Sequence, residues 1–163
     1  MSHRHPTLDA IDRRLLAALQ EDGKRSVKAL AAEVGLTKTP VYERIRRLEE
    51  EGVIDRYVAV VDKRRLPPQM SAFCSVRLHH QATEYVEAFA RTIHGLPEVL
   101  DCWVIGGDFD LLLRVVCSDL QAYYGFVTGK IAALPNVANT RSSFIIEEAK
   151  ASTAWPIGAA EVE

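Results

Sequence analysis

The sequence lacks the features that mark membrane, secreted and metal-binding chains. It contains no run of about 18 apolar residues, so no transmembrane helix is expected, and its first ten residues lack the apolar segment of a secretory signal. The only cysteines, Cys74, Cys102 and Cys117, lie in apolar stretches without CxxC spacing. We therefore expect reduced thiols in a cytoplasmic protein, with neither a disulfide framework nor a zinc site.

Charge is nearly balanced over the chain as a whole but not along it. The 163 residues are 48% hydrophobic and 26% charged, which is typical of one globular domain or two small ones. The net charge is −2, yet residues 1–65 hold 14 basic against 11 acidic side chains, and residues 66–163 hold 6 against 11. This asymmetry indicates a nucleic-acid-binding N-terminal part, although random scatter of a few charges would give the same numbers.

Three short helices are predicted before residue 53. Helix-period apolar residues favour a first helix, with Thr7 as its possible cap and a stop at Asp22-Gly23. Ser26 is a good N-cap for a second helix, which Gly35 ends because glycine readily adopts the left-handed conformation. A third helix begins at Thr37. The short turn between the second and third helices is typical of a helix-turn-helix.

The third helix has one apolar stripe and one polar face. The stripe consists of Val41, Ile45 and Leu48. Helical-wheel geometry places Thr39, Tyr42, Glu43, Arg46 and Arg47 opposite it, with Lys38 and Arg44 at the edges. An ordinary solvated surface would show the same pattern. However, four cations on one short helix favour major-groove DNA binding, with early side chains at base edges and later cations at phosphates.

The rest of the chain predicts strands and a second domain. Residues 53–62 are β-branched and aromatic and predict a strand, and the charged, proline-containing segment 62–70 predicts a linker. The later segments alternate strand, helix, strand, strand, helix and strand, which is the ferredoxin-like βαββαβ order. Their predicted ranges are 72–78, 83–94, 99–105, 109–117, 120–134 and 137–147.

Four motifs in this order resemble the leucine-responsive/AsnC (Lrp/AsnC) family of transcriptional regulators. They are LDAIDRRLLAALQEDGKRS (8–26), LAAEVGLTKTPVYERIRRLEEEGVIDRYVAVVD (30–62), GGDFDLLLRV (106–115) and NTRSSFIIEEAKASTAWPI (139–157). The resemblance implies an α+β fold, with a winged or plain helix-turn-helix DNA-binding domain at 1–61 and a linker at 62–70. It also implies a ferredoxin-like effector-binding and oligomerisation domain at 71–163.

The resemblance implies DNA-binding roles for particular residues, because the third helix of the family enters the major groove. The candidates for base-edge contact are Lys38, Thr39, Tyr42 and Glu43. The candidates for phosphate contact are Arg44, Arg46 and Arg47, with Ser26 at its N-cap as a further one. Many relatives carry a cation where Glu43 stands, so we expect a different operator preference.

The resemblance also implies a small effector, usually an amino acid, bound between subunits. Gly106 and Gly107 permit close approach, so that backbone N–H groups can hold a carboxylate. Asp108 or Asp110 can pair with an α-ammonium, and Thr140 and Ser142 can add hydroxyls from a neighbouring chain. A hairpin turn that simply needs Gly and Asp is the alternative interpretation.

The expected partners are double-stranded DNA, a free amino acid as effector, and further copies of the chain. A sheet with helices on one face leaves its other face to be covered, so we expect a homodimer that assembles to higher oligomers. We expect no enzyme activity, no cofactor, no metal and no membrane partner. A DNA-compacting architectural protein without a ligand is the nearer alternative. A ferredoxin-like dimeric enzyme is the distant one, since the adjacent His79 and His80 would point to opposite strand faces.

Overall fold

The computed structural model describes residues 7–157, which divide into two compact units. The first unit runs to Val61 and also contains the tail from Lys150 onwards, and the second comprises Asp62–Ala149. The outer ends of the predicted domains, residues 1–6 and 158–163, lie outside the described residues. No helix among residues 7–157 combines the length and apolarity needed to cross a membrane.

The three predicted helices are present in the first unit. They are α1 (Ala10–Glu21), α2 (Val27–Val34) and α3 (Lys38–Glu50). Ser26 caps α2 as predicted, its hydroxyl accepting the Ala29 N–H at 3.2 Å. Gly35 ends α2 with φ 75°, the left-handed value that favours glycine. The N-cap of α1 is Asp9 rather than Thr7, because Asp9 accepts a backbone N–H inside the first turn.

The predicted strand at residues 53–62 is not present as a strand. Val53 and Ile54 donate their N–H groups to the Leu48 carbonyl, at 2.9 and 3.0 Å, and the chain then runs on without regular structure. Within residues 7–157 the segment has no neighbouring strand to pair with, and a strand requires such a ladder. Val58, Val60 and Val61 are 62–73% exposed, as expected for a β-type sequence without a partner.

The C-terminal tail belongs to the first unit, whereas the sequence prediction assigned it to the second domain. The Trp155 N–H donates to Gln20 Oε1 at 2.6 Å, and Gln20 Nε2 donates to the Trp155 carbonyl at 3.1 Å. This reciprocal pair ties the tail to α1. The second unit begins at Asp62, so the segment predicted as a linker is part of that unit, where a 3₁₀ turn at Lys63–Arg65 lies beside Glu148.

The second unit has the predicted βαββαβ order. Its elements are β1 (Met70–Leu78), α4 (Thr83–His94), β2 (Val99–Val104), β3 (Leu111–Cys117), α5 (Leu120–Phe126) and β4 (Val137–Phe144). A π-helical turn at Val127–Ile131 continues α5. The sheet is antiparallel in the order β2-β3-β1-β4, so the two central strands are β3 and β1.

Strand alternation gives the sheet one apolar face and one mixed face. Side chains such as Val76 and Leu113 are fully buried and pack with Phe89 of α4 and Phe126 of α5. The three thiols are free, and burial raises the pKa of each. The opposite face carries the intervening residues of each strand, which include several charged side chains.

Candidate nucleic-acid interface and effector loop

Helix α3 presents most of its predicted DNA-binding side chains to solvent. Its opposite side is packed into the first unit through Val41 and Leu48, which are fully buried. The exposed candidates on α3 are Lys38, Thr39, Tyr42, Glu43, Arg46 and Arg47, whereas Arg44 is half-buried. Ser26, also exposed, lies at the start of α2, the helix that precedes α3 in the helix-turn-helix.

Two of the predicted phosphate-binding arginines form hydrogen-bonded ion pairs with carboxylates of the first unit. Arg44 Nη1 donates to Asp9 Oδ2 at 2.6 Å and to Asp12 Oδ1 at 2.8 Å. Arg47 Nη2 donates to Asp12 Oδ2 at 2.6 Å. Because both carboxylates belong to the first turn of α1, these three bonds connect α1 directly to the middle of α3.

Asp12 is the central group of this cluster. Its side chain is 1% exposed, and it also accepts the Asp9 N–H at 3.2 Å while Asp9 accepts the Asp12 N–H at 2.8 Å. This reciprocal pair is a capping box that begins α1. A buried carboxylate is tolerated only when it is paired and hydrogen-bonded, and here each Asp12 oxygen receives an arginine.

The cluster also has electrostatic consequences. The hydrogen bond from the Asp12 N–H, together with Arg44, holds the pKa of the Asp9 carboxyl below its ordinary value. Hydrogen bonds to Asp9 and Asp12 raise the pKa of Arg44. Sequence reasoning missed this use of the two arginines. The available signal was the spacing of three between Asp9 and Asp12 at the start of a helix, which is the spacing of a capping box.

Arg46 differs from its two neighbours. Its Nε donates to Glu50 Oε1 at 2.7 Å, and the two side chains are 65% and 61% exposed. The Glu50 carboxylate raises the pKa of Arg46. An exposed pair of this kind contributes little to stability and can exchange its carboxylate for a phosphate. Of the three candidate phosphate-binding arginines, Arg46 is therefore the one whose ion pair lies within α3 and not with α1.

The predicted effector loop joins β2 to β3 as a compact turn. The Ile105 N–H donates to the Asp110 carbonyl at 2.9 Å, and the Asp110 N–H donates to the Val76 carbonyl at 3.0 Å. Gly107 has φ 127°, a backbone conformation that would be strained in a residue with a side chain. A Cβ added to Gly106 or Gly107 would meet no atom within 4 Å. The space on the Cβ side of both glycines is therefore open.

The two loop aspartates have different environments. Asp110 Oδ2 accepts the Leu78 N–H at 2.7 Å, which ties this half-buried carboxylate to the end of β1. Asp108 is exposed, and its carbonyl accepts Arg77 Nε at 2.7 Å. Of the two predicted partners for an ammonium group, Asp108 is thus the more accessible.

Thr140 and Ser142 lie on the helix-covered side of β4. They pair in register with Val76 and Cys74, whose side chains are buried in the core. The Ser142 hydroxyl accepts a hydrogen bond from Tyr123 Oη at 2.7 Å, and burial raises the pKa of Tyr123 to about 12. The structure thus brings Gly106, Gly107, Asp108 and Asp110 together in one loop, but gives Ser142 a partner inside its own chain.

Comparisons with known proteins agree with this architecture. Residues 8–49 match the AsnC-type helix-turn-helix domain, and residues 71–155 match the Lrp/AsnC ligand binding domain. The chain is 42% identical to the Bkd operon transcriptional regulator of Pseudomonas aeruginosa over 92% of this chain and 98% of that protein. It is 37% identical to the DNA-binding transcriptional activator DecR of Escherichia coli, over 92% and 99%.

A solved structure extends the agreement to the fold. The L-Met complex of a transcriptional regulator from Neisseria meningitidis superposes with a TM-score of 0.86 at 31% identity, over 93% of this chain and 97% of that one. The family shows in both matched domains and in their order. It also shows in the near-complete coverage of the relatives. The chain is a member of the Lrp/AsnC family of transcriptional regulators.

Proposed function

We propose that this protein regulates transcription by binding double-stranded DNA through α3, and that an amino acid bound at the 105–110 loop changes this binding. The observation that carries the proposal is the exposed polar face of α3 in a helix-turn-helix, opposite the buried Val41 and Leu48. A helix of this kind enters the major groove with its first residues against base edges.

The side chains on α3 divide into two roles. Lys38, Thr39, Tyr42 and Glu43 lie in its first two turns and are the proposed base-edge contacts. Arg46, with Ser26 at the start of α2, is the proposed phosphate contact. Arg44 and Arg47 hold α3 against α1, so they reach DNA only through N–H groups that Asp9 and Asp12 do not use.

We propose a homodimer that assembles to higher oligomers. Two surfaces support this assembly: the unpaired segment 55–61 with its exposed valines, and the sheet face that no helix of the second unit covers. An unpaired β-type segment has a free row of backbone donors and acceptors that a second copy can fill. A dimer would then place two α3 helices on paired half-sites.

The effector function rests on the loop and on the relatives. A neighbouring structure in the family is a complex with L-Met. In this chain, open space beside Gly106 and Gly107 and the exposed Asp108 suit an α-carboxylate and an α-ammonium. We propose that the protein acts in the cytoplasm, where its DNA is. We propose no catalytic role and no cofactor for it.

Binding to the DNA upstream of the protein's own coding region tests this function. We expect a mobility shift whose midpoint changes when amino acids are added. Arg46→Gln should weaken binding about 3- to 10-fold and lower the slope of log affinity against log salt by about 1, because one phosphate contact is lost.

Arg91→Gln is the matched control, since Arg91 is an exposed arginine of α4 that also pairs with a glutamate four residues away. It should leave DNA binding unchanged. Equal effects of the two substitutions would contradict the proposed role of α3. A shift that responds to no amino acid would indicate an architectural DNA-binding protein instead.

A further inference from the structure

Two arginines from neighbouring strands converge on the aromatic ring of the effector loop. The Arg141 guanidinium of β4 lies 4.7 Å from the centre of the Phe109 ring, and that of Arg77 of β1 lies 5.7 Å from it. Phe109 stands between the two loop aspartates, Asp108 and Asp110. Two cations are thus held at the loop that we propose to bind the effector.

The sheet register explains why the two arginines meet. Arg141 pairs with Ser75, two residues before Arg77 on β1, so Arg77 and Arg141 are diagonal neighbours on the face away from the helices. Like charges at such positions repel each other. The face of an aromatic ring attracts cations and offsets part of that repulsion.

Among the described residues 7–157, the two arginines have no carboxylate partner, in contrast to another arginine of the same face. Arg114 forms an ion pair with Asp101 at 2.5 Å. Within residues 7–157, no carboxylate oxygen lies within 4.0 Å of a side-chain nitrogen of Arg77 or Arg141. Arg77 Nε is instead held by the Asp108 carbonyl at 2.7 Å, which fixes this guanidinium beside the loop.

We propose that Arg77 and Arg141 bind a second carboxylate of the effector, so that the effector is an acidic amino acid. The inference rests on the proposed effector function of the loop. In that function, the α-carboxylate of the effector is bound by the backbone N–H groups at Gly106 and Gly107. Its α-ammonium is bound by the Asp108 carboxylate. The arginine pair then adds a separate position for an anion, and bidentate guanidinium groups suit a carboxylate. Because the pair lies on the sheet face that we propose a second copy to cover, this position would lie between subunits.

Calorimetry on the full chain tests the inference, with L-glutamate, L-aspartate, L-methionine and L-leucine as probes. We expect one of the two acidic amino acids to bind at least about tenfold more tightly than either apolar one, because charge-assisted hydrogen bonds to a second carboxylate are gained. Arg77→Gln and Arg141→Gln should each reduce the ratio of acidic to L-methionine affinity about tenfold, because L-methionine lacks the second carboxylate that the two guanidinium groups bind. Arg91→Gln, on α4, should change neither affinity.

The outcomes separate the inference from the proposed function on which it rests. If L-methionine binds as tightly as the acidic amino acids and Asp108→Ala abolishes that binding, the effector function stands and the acidic specificity is wrong. An acidic preference that survives in both arginine variants also overturns the inference. If none of the four amino acids binds while the DNA shift persists, the effector function itself fails, and the inference with it.

Discussion

The interior of the first unit contains a carboxylate, whereas that of the second is formed mainly by apolar side chains. Asp12 is 1% exposed and receives Arg44 and Arg47 of α3. The core under α4 and α5 has no comparable charged group among residues 62–149, and Val76, Leu113 and Val115 are fully buried there.

The comparison shows two ways of holding elements together. The free energy gained by burying apolar surface is roughly proportional to the buried area and has little directional preference. It is therefore sufficient to hold helices over the apolar face of a sheet. Hydrogen-bonded ion pairs are directional and specify which atoms meet. In the first unit they fix the register between α1 and α3, the helix that presents the proposed DNA-binding side chains.

The largest expected effect comes from a cavity in the apolar unit. Leu113→Ala removes a fully buried side chain of β3 and should destabilise the second unit by about 2–5 kcal/mol. Leu120→Ala is the control, because Leu120 is 59% exposed. Hydrogen exchange followed by mass spectrometry should show faster exchange in β1 and β3 but not in α1. Equal loss of protection in both units would show that they unfold together.

A smaller effect is expected in the first unit from the loss of charge at Asp12. Asp12→Asn keeps the size of the side chain but weakens its bonds to Arg44 and Arg47, so it should destabilise this unit by about 1–3 kcal/mol. Because the freed arginines can then reach phosphates, non-specific DNA affinity should rise while operator affinity falls. Glu50→Gln, which alters an exposed pair, should change stability by less than about 0.5 kcal/mol.

Urea unfolding and mobility shifts on operator and random DNA measure these two effects of Asp12→Asn. A parallel loss of operator and random-sequence binding would mean that Asp12 supports folding without orienting α3. No change in stability would contradict the role of the carboxylate altogether.

The smallest expected effect is a pH dependence from Asp9. Its pKa in the folded state is lowered below the ordinary 3.8, chiefly by the hydrogen bond from the Asp12 N–H. Its contribution to stability is therefore present above pH 3.8 and lost as the pH falls through the lower, folded-state pKa. Asp9→Asn keeps an N-capping side chain but cannot ionise, so this variant should lose less stability on acidification from about pH 5 to 3. Identical pH profiles for the two proteins would exclude this contribution.

Much of the fold was predictable because its signals are local. The caps at Ser26 and Gly35 and the apolar stripe of α3 each depend on a few neighbouring residues, and all are present. The strand–helix order of the second unit is equally local. The strand predicted at 53–62 was wrong because a strand needs a partner, and the described chain provides none for that segment.

The candidate sites were less predictable than the fold. The exposure of Tyr42 and Arg46 follows from helical periodicity. The engagement of Arg44 does not, since its partners lie 32 and 35 residues away along the chain. The positions of Thr140 and Ser142 depended on which face of β4 the helices cover, and alternation alone cannot distinguish the two faces of a polar strand.

The sequence by itself determined the two kinds of domain, their order and most helix and strand limits, because periodicity, capping and turn chemistry act over a few residues. Tertiary structure decided which charged side chains form contacts within the chain and which remain exposed to solvent. The crossing of α1 and α3 brought Asp12 to Arg44 and Arg47, and the pairing of β1 with β4 brought Arg77 and Arg141 to Phe109. These contacts join residues far apart in the chain, and only the packing of whole elements defines their geometry.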